Sequence, residues 1–115
     1  MRDVCERLQD ILEAIAQVER YATRGRDAFD GDELVQTWIV HHLQIIGEAA
    51  GGLGSAFHSA HREVPWPQIV ALRNILVHEY FGIDLEEVWA TVQRDLPALK
   101  AQVQALLRAV ETGRA

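Results

Sequence analysis

The chain has 115 residues, enough for one domain with a modest single core. Hydrophobic residues make up 49% and charged residues 24%, an ordinary globular balance. The formal net charge of −6 argues against broad, nonspecific capture of nucleic acid, which needs a basic surface. It leaves room for a small RNA site built from a few cations, and for a partner with a basic surface.

No run of about 18 apolar residues occurs, so no membrane span is expected. Met1-Arg2-Asp3 leads straight into an amphipathic pattern, so no secretory signal is expected either. The single Cys5 cannot form an internal disulfide, and a cytoplasmic location fits. Cys5 stands at the edge of an apolar stripe without a local activator, and we read it as structural rather than reactive.

From Asp3 to about Arg24 the apolar positions Val4, Leu8, Ile11, Leu12, Ile15 and Val18 step by three and four, which predicts an amphipathic helix. Arg24-Gly25-Arg26 ends it. We read the two arginines as a solvated helix terminus rather than a cationic patch. Asp30 and Glu33 have capping-box spacing and are expected to open the second helix. That helix carries Leu34, Trp38, Ile39, Leu43, Ile45 and Ile46, with His41 and His42 in its middle. Adjacent histidines point about 100° apart and cannot simply share a metal. Glu48 lies in the apolar half, and two readings stay open for it: a buried polar partner, or a surface residue.

Gly51-Gly52-Leu53-Gly54 ends or frays the second helix. It is not a phosphate loop: no strand precedes it and no Gly-Lys-Ser/Thr follows. His58 and His61, in a short turn or helix after Phe57, have metal-like spacing but lack further ligands. We read them as solvated loop histidines. The last helix starts at Asp84, with Glu87 three residues on in capping-box spacing. Its stripe runs Leu85, Val88, Trp89, Val92, Leu96, Leu99, Val103, Leu106 and Val110, and Pro97 should kink it or break its ladder. No strand signal, repeat or linker appears. The pattern predicts an all-α antiparallel four-helix bundle with a short extra turn, one domain over residues 1–115.

The stretch Arg73-Asn74-Ile75-Leu76-Val77-His78-Glu79-Tyr80 organises the rest. Pro65-Trp66-Pro67 signals its start and Phe81-Gly82 its stop, which predicts a helix from about Pro67 to about Tyr80. On a helical wheel with Arg73 at 0°, Asn74 falls at about 100°, His78 at about 140° and Tyr80 at about 340°. Val77 and Val70 lie between Arg73 and Asn74. Leu72, Leu76 and Ile69 cluster on the far side. A helix apolar nearly all round is expected to be buried nearly all round. Two readings stay open on spacing alone: the face with Arg73, Asn74 and His78 meets a second subunit or a closed cleft, or this is an ordinary core helix with one satisfied histidine and a snorkelling arginine.

This stretch resembles the Arg-x4-His-x-Tyr signature of HEPN-domain ribonucleases, and specifically of the HepT-like toxins. Gly47-Glu48-Ala49-Ala50 resembles that family's Gly-Glu-Ala element on its second long helix. Pro65-Trp66, Ile69 and Arg73-Asn74 resemble its approach to the signature. Ile83-Asp84, Val88-Trp89 and Leu96-Pro97 resemble its last helix. The likeness covers nearly the whole chain. Leu72 departs from the methionine expected before Arg73-Asn74, a volume-conserving change.

The residue types fit that chemistry. Metal-independent ribonucleases use the RNA 2′-OH as nucleophile. They need a proton-moving group and a cation for the charge that develops on phosphorus. His78 titrates near neutrality and suits general acid–base work. The fork of Arg73 matches phosphate oxygens. Asn74 precedes His78 by four residues and is a supporting residue, able to orient the imidazole or hold a phosphate. One histidine per chain is thin for both acid and base, and a two-fold homodimer through the motif helix would supply two. The resemblance implies such a dimer, no cofactor or metal, and a 2′,3′-cyclic phosphate product. It also implies a toxin–antitoxin pair whose partner is a minimal nucleotidyltransferase of the MntA type, which silences the toxin by AMPylation of Tyr80. The alternative is a catalytically silent HEPN bundle serving as the substrate- or nucleotide-binding subunit of such a transferase.

Overall fold

The computed structural model describes residues 3–74 and 84–113. Helix α1 runs Val4–Ala22. Asp3 caps it, its carboxylate accepting from the Glu6 N–H at 2.8 Å. The expected stripe is its inner face, with Leu8, Ile11, Ile15 and Val18 buried. The helix stops because Gly25 takes a left-handed φ of 95°.

A short helix that the sequence did not announce follows, α2 at Arg26–Gly31. It buries Phe29, whose ring lies 5.1 Å from that of Trp89. The arginines around Gly25 are not the solvated terminus expected. Arg24 lies over the Tyr21 ring at 4.6 Å, and Arg26 bonds Asp30 at 2.9 Å and Glu86 at 2.7 Å. Because Asp30 belongs to α2, the capping box with Glu33 does not form. Asp32 caps the next helix instead, accepting from the Leu34 N–H at 2.9 Å.

Helix α3 is Glu33–Gly52 and runs antiparallel to α1. Near one end the Trp38 indole donates to the Gln17 carbonyl oxygen at 2.9 Å. At the other, the Arg7 guanidinium lies on Gly52. Val35, Ile39, Val40, Leu43, Ile46 and Ala50 face inward. Leu34 is 81% exposed, on the outward side of the first turn. Glu48 is on the surface, which settles its orientation.

Helix α4 is Ser55–Ala60. Helix α5 starts at Trp66 and runs to Val70, then tightens into a 3-10 turn over Ala71–Asn74. Helix α6, Leu85–Ala90, is capped as expected, with Asp84 accepting from the Glu87 N–H at 3.1 Å. The ladder then widens into a π-turn at Thr91–Asp95 before α7, Leu96–Glu111. Pro97 accounts for the widening. It has no N–H to give the Gln93 carbonyl, and its ring would crowd that oxygen in a regular α-helix.

The result is an all-α bundle of four helical segments: α1, α3, the segment opened by α5, and α6–α7. Leu99, Val103 and Leu106 of α7 join the core built by α1 and α3. Each such aliphatic side chain contributes roughly 1.5–3 kcal/mol on burial. Lys100 ties α7 to α1 through Glu19 at 3.1 Å. Cys5 is half-buried, and its thiol is raised above the usual range, first by desolvation and then by the Asp3 and Glu111 carboxylates. A raised thiol is a poor nucleophile, in line with a structural role. Among the described residues, no helix is long and apolar enough to cross a membrane.

Candidate functional site

Arg73 is fixed by its backbone before its side chain reaches anything. A methyl group on Gly47 would overlap the Arg73 amide nitrogen and stand 3.1 Å from its Cα and Cβ. The 3-10 turn therefore lies directly on α3, and only glycine permits this approach. One helical turn further on, Gly51 opens the path for the side chain. A methyl group there would stand 3.2 Å from Arg73 Nη1 and 3.7 Å from Val70 Cγ1. Two glycines four residues apart on one face of α3 thus form a trough, with the backbone of Arg73 at one end and its guanidinium at the other.

The 3-10 geometry changes how the motif residues point. With three residues per turn, the wheel advances about 120° per residue instead of about 100°. Ile69 and Leu72 are buried and Val70 is half-buried. Gln68, Ala71, Arg73 and Asn74 are exposed. Within the single chain the described part of the segment is therefore one-sided, with the Arg73 and Asn74 side left open. His78 and Tyr80, with Val77, lie outside the described residues, as do the expected helix end and the Phe81-Gly82 stop.

Arg73 forms one wall of an open groove of about 800 Å³. Gly51 and Val70 line it beside Arg73, Pro65, Trp66 and Pro67 add apolar surface, and Ser55, Ser59 and Arg62 line it as well. Among the described residues, no carboxylate lines this groove. No described residue pairs with Arg73 or with Arg62. In a chain with six more acidic than basic charges, two free guanidiniums on one groove make a local cationic site.

His58 belongs to the wall of this groove, and both His58 and His61 are half-buried rather than solvated, contrary to expectation. His58 Nε2 lies 2.8 Å from the Ala50 carbonyl oxygen, and its ring stacks on Trp66 at 4.8 Å. The His61 ring lies 4.4 Å from Phe57, and its Nδ1 is 3.6 Å from Glu63. Their i,i+3 spacing serves an aromatic cluster closed by Phe57 and Trp66. The sequence hid this because Trp66 comes five residues after His61, across a turn. Among the described residues, no group of three or more histidine, cysteine or acidic side chains is placed to hold a metal ion.

Sequence comparison agrees with this geometry. The family model described as "Ribonuclease HepT-like" matches residues 11–106. A "Probable ribonuclease HepT" of Thermococcus cleftensis is 36% identical over 100 residues, covering 86% of this chain and 91% of the relative. A "Putative RNase MJ1380" of Methanocaldococcus jannaschii is 38% identical over 105 residues, covering 90% and 95%. A "Putative RNase TTE0752" of Caldanaerobacter subterraneus is 35% identical over 91 residues, covering 79% and 81%. No solved structure matches the chain significantly. With a family model spanning most of its length and relatives matched nearly end to end, the chain belongs to the HepT-like ribonuclease family.

Proposed function

We propose that the protein is a metal-independent endoribonuclease and the toxin of a toxin–antitoxin pair. The observation that carries this reading is Arg73: without a partner among the described residues, exposed, and with its backbone held on Gly47 at the edge of a cationic groove, in a chain of a ribonuclease family. A guanidinium carried on a fixed backbone suits a phosphoryl-transfer site, because it can meet the charge that develops on phosphorus.

In the proposed reaction, His78 removes the proton from a ribose 2′-OH. The 2′-oxygen attacks the adjacent phosphorus, and the bond from phosphorus to the 5′-oxygen breaks. The 5′-oxygen leaves with a proton from the second subunit's His78. The products are a 2′,3′-cyclic phosphate and a 5′-OH end. Arg73 binds the non-bridging oxygens throughout, and Asn74 supports the imidazole or the phosphate. The homodimer forms through the motif helix, with Val70 and Val77 supplying its apolar strip.

Silencing is proposed to act on Tyr80. A nucleotidyltransferase antitoxin of the MntA type joins the phenol oxygen to the α-phosphorus of ATP and releases pyrophosphate. The added AMP puts a negative phosphate near Arg73, where it competes for the guanidinium and repels the RNA backbone.

One set of assays tests the reading. Wild type should cleave RNA in excess chelator, with cyclic phosphate ends detected by mass spectrometry. His78→Ala should slow cleavage by about 10²–10⁴-fold with the helical circular dichroism unchanged. Incubation with the transferase, ATP and Mg²⁺ should stop cleavage and add AMP-sized mass, and Tyr80→Phe should prevent both. Unimpaired cleavage by His78→Ala would sink the catalytic assignment. AMP-sized mass persisting on Tyr80→Phe would sink the modification site.

A further inference from the structure

The groove continues well beyond Arg73, and its far side is built with unusual rigidity for a loop. Arg62 sits in the turn between α4 and α5, and that turn is held from both flanks. The Trp66 indole donates to the His61 carbonyl oxygen at 2.8 Å. Gln102 of α7 donates to the Glu63 carbonyl oxygen at 2.9 Å. Val64, the next residue, is buried, and Trp66 N–H closes the turn on its carbonyl at 2.8 Å. Arg62 thus projects into the groove from a backbone pinned at the carbonyl before it and the carbonyl after it.

Pinning exposed backbone this way is not required to keep an arginine in water. It does fix the backbone from which Arg62 extends, as the close approach to Gly47 fixes the backbone of Arg73. The same groove is lined by apolar Trp66, Pro67 and Val70 and by the serines Ser55 and Ser59. The chemistry is that of a chain with regularly spaced anions and flat apolar groups between them.

We propose that the groove is a substrate subsite that holds the strand next to the scissile phosphate, with Arg62 binding a flanking phosphate of single-stranded RNA. The inference rests on the ribonuclease reading above and adds the path of the strand. Arg62 is a positioning residue here. It binds a phosphate that does not react, and it fixes the register of the strand on Arg73. Single strands suit the groove because their bases can turn onto an apolar floor, whereas a duplex presents only its backbone. Ser55 and Ser59 are placed for the ribose or phosphate oxygens between the two cations.

The test uses binding, so that it does not depend on cleavage. A fluorescent 2′-O-methyl RNA decamer, which has no 2′-OH nucleophile, is titrated with the full chain at several salt concentrations. Arg62→Ala should weaken binding by about tenfold. It should also flatten the slope of log K against log salt by about 0.7, the value for one lost single-strand phosphate contact. Arg62→Lys should restore the slope while recovering only part of the affinity, since a lysine keeps the charge without the fork.

Arg24→Ala is the control. Arg24 lies beyond the opposite end of α3, about 30 Å from the groove by the length of that helix, and its loss should change neither quantity. In cleavage of a matching unmodified decamer, Arg62→Ala should raise KM and leave kcat within about twofold. An Arg62→Ala protein with wild-type affinity and slope would overturn the subsite, and so would an equal loss in Arg24→Ala. A wild type that binds the decamer through Arg62 but never cuts RNA would instead overturn the nuclease reading and keep the groove.

Discussion

Helix α3 meets two neighbours in opposite ways. With α1 it shares a core of large side chains, in which Ile39, Leu43 and Ile46 are buried together with Leu8, Ile11 and Ile15. Toward the segment that carries Arg73 it presents Gly47 and Gly51, which have no side chain at all. The first contact is held by volume removed from water, and any good set of aliphatics would do. The second is held by the close approach of two backbones and tolerates almost nothing. A fold can be robust on one face of a helix and exacting on the next. Here the exacting face positions the candidate phosphate-binding arginine.

Substitutions along α3 should separate the two contacts. The largest stability effect is expected at Leu43, fully buried against α1. Leu43→Ala removes apolar surface and leaves a cavity, costing about 2–5 kcal/mol in urea unfolding. RNA cleavage measured well below the unfolding midpoint should stay near wild type, because Arg73 is not touched. Loss of activity in a folded Leu43→Ala protein would show that the two faces are not independent.

A smaller stability effect, with a larger functional one, is expected at Gly47. Gly47→Ala gains up to about 1 kcal/mol of helix propensity. The new methyl group meets the Arg73 backbone, which cannot rotate away, so overpacking of about 1–3 kcal/mol should win. Cleavage should fall at least tenfold while the protein remains folded, since Arg73 must move. A Gly47→Ala protein that is stabilised and fully active would refute the close approach.

The smallest effect is expected at Gly51. Its methyl group would meet only the tip of a flexible arginine at 3.2 Å. Gly51→Ala should therefore leave stability within about 1 kcal/mol, with helix propensity favouring the variant. The displaced guanidinium should show instead as a rise in KM for RNA. The ratio of the Gly47 and Gly51 effects measures how much of the site depends on backbone fit and how much on the placement of the side-chain tip.

Legibility in the sequence followed the range of the interactions. The stripe Leu8, Ile11, Ile15, Val18 and the cap of Glu87 by Asp84 rest on contacts three or four residues apart, and both were readable. The widening before Pro97 was readable because proline acts on its own turn. Helix α2 was not, since Phe29 is drawn inward by Trp89, sixty residues away. Without α2 in view, the spacing of Asp30 and Glu33 reads as a capping box. His58 and His61 were misread for the same reason: their partners Ala50, Phe57 and Trp66 are gathered across two turns.

By itself, the sequence determined the all-α class, the inner faces of α1 and α7, the family, and Arg73 as the cation to watch. Periodicity, capping and an ordered motif set are local properties, and local properties survive in a string of letters. Only the tertiary structure decided that Gly47 and Gly51 are a trough for Arg73 and that Arg62 stands on the same groove. Glycine carries no side chain whose pattern could announce a neighbour. A guanidinium on a turn declares no target until the turn is folded. Both meanings depend on which backbone comes to rest against which, and the whole packed core sets that.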